Sequence, residues 1–278
     1  MVNEDIMKEV MVESAKQVTE EVYHDAIQST AKNVGGFFGT LSGFFNHVVM
    51  YPLKKLNIKY EQKAIAFERE MEEKYNKIPD ENKCEPKINV IGPALEALKY
   101  NMLEEDLRNL FKNLLVNSMD IRKQHLCLPA YIKLIEQMSS VDAYLFSKLY
   151  NKCLNFGIVY ICAQATITYP KGFGVLECYP KYLIAELFEK YTLQEISISL
   201  SNLIRLGLLT IKPSAFMLDE YVNNILFRND VKELFNKRKI YYDSIPNSNS
   251  ELKTDVIEKG IIGSNDFAYN FAKICLEE

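Results

Sequence analysis

The chain has 278 residues, 48 % hydrophobic and 25 % charged, with a formal charge of -4 and an isoelectric point near 5.6. This excludes a disordered chain, since the apolar share suffices for a core in one large domain or two smaller ones. It also excludes a general positive field that would gather phosphate, so nucleic acid is not the expected partner. Six cysteines without a short repeat, behind a Met1 to Val10 stretch that lacks a basic region followed by an apolar core, point to free thiols in a reducing cytoplasm.

Met7, Met11, Ala15, Val18 and Val22 recur at helical spacing and predict a helix from about Glu4 to Thr30. Residues 1–30 hold seven acids against two lysines, a net -5, so this helix suits a partner helix better than an anionic lipid surface. Asn33 to Leu53 then carries no charged residue, and its Gly35, Gly36, Phe37, Phe38, Gly39, Gly43, Phe44 and Phe45 are the candidate membrane or self-association residues. Glycines four apart let helix backbones approach closely, and about 20 residues reach across the hydrocarbon of a bilayer. Asn46, His47 and Pro52 favour the other reading, a close-packed helix or loop. Were the segment to span, Lys54, Lys55, Lys59 and Lys63 would keep the body cytoplasmic at the inner membrane.

With Pro52 as a first helical residue, Leu53, Leu56, Tyr60, Ala64, Phe67, Met71, Tyr75 and Ile78 form the longest periodic stripe of the chain. Residues 79–83 read as a linker. Pro93 is expected to open the next helix, and Glu104-Glu105-Asp106 to begin one whose apolar face is Leu107, Leu110, Phe111, Leu114 and Leu115. Another follows Pro129, and Ser139 with Asp142 has capping-box spacing.

The words Ile91-Gly92-Pro93-Ala94-Leu95-Glu96-Ala97-Leu98, Glu105-Asp106-Leu107-Arg108-Asn109-Leu110-Phe111, Leu114 to Asp120 and Ile135 to Ala143 resemble, in this order, the Abi-alpha family. The resemblance covers roughly residues 80–235 and carries no catalytic word. It implies a bacterial protein of abortive infection, the self-limiting defence against bacteriophage.

Further on, Ile158 to Ile167 predicts one or two short strands before the turn at Tyr169-Pro170-Lys171-Gly172. Pro180 to Tyr191 is expected to be helical, and Thr192 with Glu195 to cap the next helix. That helix, ending in Arg205-Leu206-Gly207 and leading to a small hairpin, is similar to the second half of a winged helix with glycine at its C-terminus. Its Ser199, Asn202 and Arg205, together with Lys237, Arg238 and Lys239 beside Tyr241 and Tyr242, are the candidate nucleic-acid contacts. One cation on the second helix is little for a duplex. A polar loop from Ser244 and a terminal helix pair broken near Gly260 and Gly263 close the chain.

No phosphate loop, His-Glu-x-x-His, Cys-x-x-Cys or Gly-x-Ser-x-Gly motif occurs, and His24, His47 and His125 are far apart. The expected protein is mainly α with minor β. It has an N-terminal arm (1–80), a helical body (81–243) with a winged-helix-like part at 180–220, and C-terminal helices (244–278). The expected function is non-enzymatic anti-phage action without metal or cofactor, through self-association by the N-terminal helices, a phage or host protein, or a membrane. A winged-helix DNA-binding regulator is the alternative.

Overall fold

In the computed structural model, which describes residues 37–54, 58–155, 158–169, 172–177, 180–186, 188–213, 219–244 and 253–277, the chain is mainly helical with a smaller β contribution. Its contacts group into two units, Met1–Ser140 with Asn270–Glu278, and Val141–Tyr269. The boundaries expected near residues 80 and 243 fall inside these units. The predicted helix at 4–30, together with Gly35 and Gly36, lies outside the described residues.

In the first unit, α1 (Phe37–Phe45) runs through a π-helical turn (Asn46–Met50) into α2 (Tyr51–Lys54). Pro52 therefore does not start a helix. It has no N–H for the Val48 carbonyl and its ring would strike that group, and the wider π turn just before it gives the ring room. After α2 comes α3 (Ile58–Tyr75), whose stripe of Ala64, Phe67, Met71 and Tyr75 is buried as expected. Phe45 stacks on Phe67 with ring centroids 5.6 Å apart, and Phe38 meets Tyr75 at 5.3 Å. Leu41, Phe44, Val48 and Val49 are buried with them, so this part of the uncharged segment is core of the first unit. No helix among the described residues is long and apolar enough to cross a membrane.

Helix α4 (Ile88–Asn101) begins five residues before Pro93 and holds it inside. Gly92 makes that tolerable: a helical residue before proline normally clashes through its Cβ, and glycine has none. The acids Glu105 and Asp106 open α5 (Glu105–Asn117), and Pro129 opens α6 (Pro129–Glu136), both where the sequence puts them. Between α5 and α6, buried Asp120 receives Arg122 in a two-pronged pair, Nε donating at 2.9 Å and Nη2 at 2.6 Å. These bonds hold its carboxyl below the usual range despite burial. The end of the chain returns to this unit. Asn113 Nδ2 donates to the Cys275 carbonyl at 2.8 Å and Asn117 Nδ2 to that of Ile274 at 2.7 Å, satisfying acceptors that the last turn of a helix leaves open.

The second unit begins with α7 (Ser140–Asn155) and centres on an antiparallel sheet in the order β2-β1-β5-β4, with β3 also paired to β1. The strands are β1 (Ile158–Tyr169), β2 (Gly172–Glu177), β3 (Leu183–Ile184), β4 (Thr210–Pro213) and β5 (Lys253–Gly263). Against it pack α9 (Asp219–Leu226) and α10 (Asn229–Asp243), through a cluster of Ile161, Leu183, Val222, Ile225 and Val231. Three expectations are corrected here. The segment 180–191 holds β3 rather than a helix, because buried Leu183 and Ile184 pair with Ile161 and Tyr160. The strand after α8 (Leu193–Arg205) pairs with β5 rather than with a neighbouring strand of a small hairpin. Finally, residues 253–263 are a strand, and among the described residues that follow it α11 (Asp266–Cys275) is the helix. Gly260 serves the sheet by lacking a side chain: a Cβ there would overlap the Lys212 carbonyl oxygen and lie 2.9 Å from the Pro213 Cα.

Both α8 ends match their sequence signals. Thr192 and Glu195 make a reciprocal capping box. At the other end Gly207 takes φ 73°, and the N–H groups of Gly207 and Leu208 return to Ile204 and Leu203, the Schellman pattern.

Three outcomes follow. Asn117→Ala, which orphans a buried carbonyl, should lower the unfolding free energy by about 1 to 3 kcal/mol in urea titration. Gly260→Ala should cost about 2 to 3 kcal/mol, because the clash is with backbone atoms that cannot rotate away. A carboxyl depressed in the folded state stabilises above its unfolded value, near 3.9, and this is lost as pH falls through the folded value. The stability gap between wild type and Asp120→Asn should therefore be full at neutral pH and close below about pH 4.

Candidate binding cleft

Within the second unit, the start of α8 and the first half of α10 enclose an open cleft of about 530 Å³. Leu193 and Ile196 of α8 and Leu234 of α10 give it apolar walls, with Phe188 and Tyr191 added by the loop before α8. Polar groups ring it: Glu189 and Gln194 on one side, Arg228, Asp230, Glu233 and Lys237 on the other.

The α10 side is built around Arg228, whose side chain is 11 % exposed. Its Nη1 donates to the Ile184 and Glu186 carbonyls, while Nε donates to Asp230 Oδ1 at 3.0 Å and Nη2 to Asp230 Oδ2. Burial works to raise the Asp230 carboxyl, yet the bonds from Arg228 and the attraction of its charge, with the Val231 N–H, hold it below the usual range. One turn on, Lys237 pairs with Glu233 at 2.8 Å. On the α8 side, the Thr192 N–H and hydroxyl both donate to Glu195 Oε2 at 2.8 Å, which lowers the Glu195 carboxyl. Ser197 Oγ accepts from the Tyr182 N–H at 2.9 Å and so fixes α8 to the segment that leads into β3.

Aromatic and cationic groups alternate beside this wall. Tyr144 of α7 meets Tyr191 edge-on at 5.3 Å and Phe188 at 6.2 Å. Lys190 lies over Tyr144 and Tyr191 at 5.2 and 5.1 Å, and Lys148 over Tyr144 at 5.6 Å.

The residues singled out in the sequence are dispersed. Ser199 is only 2 % exposed. Asn202 donates to Asp142 Oδ2 at 2.9 Å and its own oxygen accepts Arg205 Nε and Nη2 at 3.0 and 2.8 Å, so the α8 cation is engaged along its own helix. The basic run points three ways, as consecutive helix positions must. Lys237 enters the cleft, Arg238 turns inward with Nη1 and Nη2 shielded and unbonded, and Lys239 faces solvent. Phe38, Gly39, Phe44 and Phe45 are buried in the first unit, Gly43 is half-buried, Phe37 belongs to α1, and Gly35 and Gly36 lie outside the described residues.

Cys84, Cys127, Cys153 and Cys275 are free thiols. Burial pushes the Cys127 and Cys153 thiols up to about 12, which keeps them protonated and weakly nucleophilic. No group of three potential metal ligands converges among the described residues. Phe188, Glu189, Tyr191, Arg228 and Asp230 escaped the sequence reading. The available signal was Arg228-Asn229-Asp230 ahead of an apolar helix face, an acid and a cation about one helix start.

Neither a curated protein nor a solved structure matches the chain. The family model for abortive infection alpha matches residues 59–275, which extends the resemblance in both directions and takes in every residue of the cleft. The chain belongs to the abortive infection alpha family.

Proposed function

We propose that this protein acts in defence against bacteriophage as a binding protein, with the cleft of its second unit as the working surface and no chemistry of its own. Membership of the abortive infection alpha family carries the defence role. The cleft supports the binding role: it is of a size typical for ligand and anchor sites, with apolar walls and charged groups held in place by hydrogen bonds. Association with itself or a membrane through residues 33–53 is another form of the same reading. It has less support, because Phe38, Phe44 and Phe45 are taken up in the first unit's core.

The winged-helix regulator has less again, since Arg205 is hydrogen-bonded to Asn202 and Ser199 is buried. Phage challenge of a bacterial host separates these readings. Gln194→Trp, at an exposed position on the cleft rim, should fill the cleft and abolish protection at unchanged protein level, whereas Arg205→Ala should leave protection intact. Full protection by Gln194→Trp would overturn the cleft reading. Loss with Arg205→Ala, alongside salt-dependent duplex binding, would favour the regulator.

A further inference from the structure

Given the cleft as the working surface, we infer that its occupant is a basic, apolar segment of a partner protein, with a leucine-type anchor between Leu193, Ile196 and Leu234 and a lysine or arginine against Phe188 and Glu189. The charges decide the sign. Three carboxylates line the cleft, Glu189, Asp230 and Glu233, against two cations, Arg228 and Lys237. Asp230 is matched by Arg228 and Glu233 by Lys237. Glu189 stands outside both pairs, exposed at the rim, so among the residues lining the cleft the charge left over is negative, its neighbour Lys190 lying over the Tyr144 and Tyr191 rings instead.

The helix end does not reverse this. The first turn of α8 would ordinarily attract an anion, but the Glu195 carboxylate already takes the Thr192 N–H and hydroxyl and places a negative charge there. A phosphate or nucleotide thus meets the Glu189 and Glu195 carboxylates on the α8 side, and on the α10 side cations already paired with Asp230 and Glu233. Arg228, the best anion-binding group by chemistry, has its guanidinium spent on two backbone carbonyls and Asp230.

The aromatic wall agrees. Ring faces attract cations, and the chain's own Lys190 and Lys148 already exploit Tyr144 and Tyr191. Phe188 contributes its ring to the cleft next to Glu189, and a partner's guanidinium or ammonium there would gain a ring face and a carboxylate together. The apolar walls need more than a bare cation, since a polyamine would leave the half-exposed faces of Leu193 and Leu234 uncovered.

The full chain contains no tryptophan, so a tryptophan-bearing peptide reports binding by its own emission without protein background. The probes are a short synthetic peptide of leucine, lysine and arginine with one tryptophan, the same peptide with glutamate for every cation, and a labelled oligothymidine. The basic peptide should bind the wild type and weaken as salt rises, and the acidic peptide and the oligonucleotide should not compete. Glu189→Lys, at an exposed position, should weaken the basic peptide about tenfold. Phe188→Leu, which keeps an apolar side chain and removes the ring face, should weaken it several-fold.

Failure of the basic peptide to bind, equal binding of the acidic one, displacement by oligothymidine, or an unchanged affinity in Glu189→Lys would each overturn the inference. Those results combined with loss of protection in Gln194→Trp would leave the cleft as working surface and discard only the class of occupant. Full protection by Gln194→Trp would discard the cleft itself.

Discussion

Two asparagines one helical turn apart hold the end of the chain against its middle. Asn113 and Asn117 lie on the same face of α5, and each sends an amide to one of the carbonyls that close α11. A helix ends with acceptors that no residue of its own can satisfy, and burying one unpaired costs about 1 to 3 kcal/mol, as much as burying an apolar side chain returns. The amide oxygens are occupied as well, Asn113 Oδ1 by Lys74 Nζ at 2.7 Å and Asn117 Oδ1 by Lys123 Nζ at 3.1 Å. One network thereby joins α3, α5, the segment before α6 and the last helix, and it lets apolar Phe271 settle edge-on against Tyr131 at 5.2 Å. Because the pairing is directional, it fixes the register of α11 in a way that a greasy face alone would not.

What the sequence discloses tracks how local the deciding interaction is. Thr192 and Glu195, Gly207, the acids of α5 and the Pro129 start all act within one turn of themselves, and each proved right. Pro52 and Pro93 are the exceptions: each looks like a helix start, yet each lies inside a helical run, one after a π turn that no residue type announces and one directly after a glycine. The strands were the least visible. β5 pairs with β1 from Ile262 opposite Ile158 to Lys253 opposite Thr166, 87 to 104 residues away, so nothing near Gly260 and Gly263 states that these glycines sit in a ladder rather than at helix breaks. The cleft is hidden for the same reason, since residues 188–196 and 228–237 lie far apart in the chain and meet only in the folded unit. The cations picked by adjacency, Lys237, Arg238 and Lys239, separate because neighbouring positions on a helix point apart.

The smallest strand is what brings the two sides of the cleft together. β3 has only two residues, paired with Tyr160 and Ile161 of β1. Ile184 presents its carbonyl to Arg228, which grips Asp230, whose carboxylate then receives the Val231 N–H at the start of α10. Tyr182, just ahead of β3, gives its N–H to Ser197 inside α8. Each wall of the cleft is therefore bonded to the same short stretch of chain, one through a guanidinium and one through a hydroxyl. A helix anchored at a single point could still pivot, but apolar packing supplies the second constraint on both: Leu193 of α8 and Leu234 of α10 rest on the cluster that contains Leu183. Leu183 and Ile184 are both buried, and the Ile184 carbonyl, which points sideways from the strand as backbone acceptors do, is free to take the Arg228 guanidinium. The consequence is a cleft whose width is set by the sheet rather than by flexible side chains. A partner of the proposed kind would meet walls already tied to the sheet, and less ordering on binding would leave more of the contact energy for affinity.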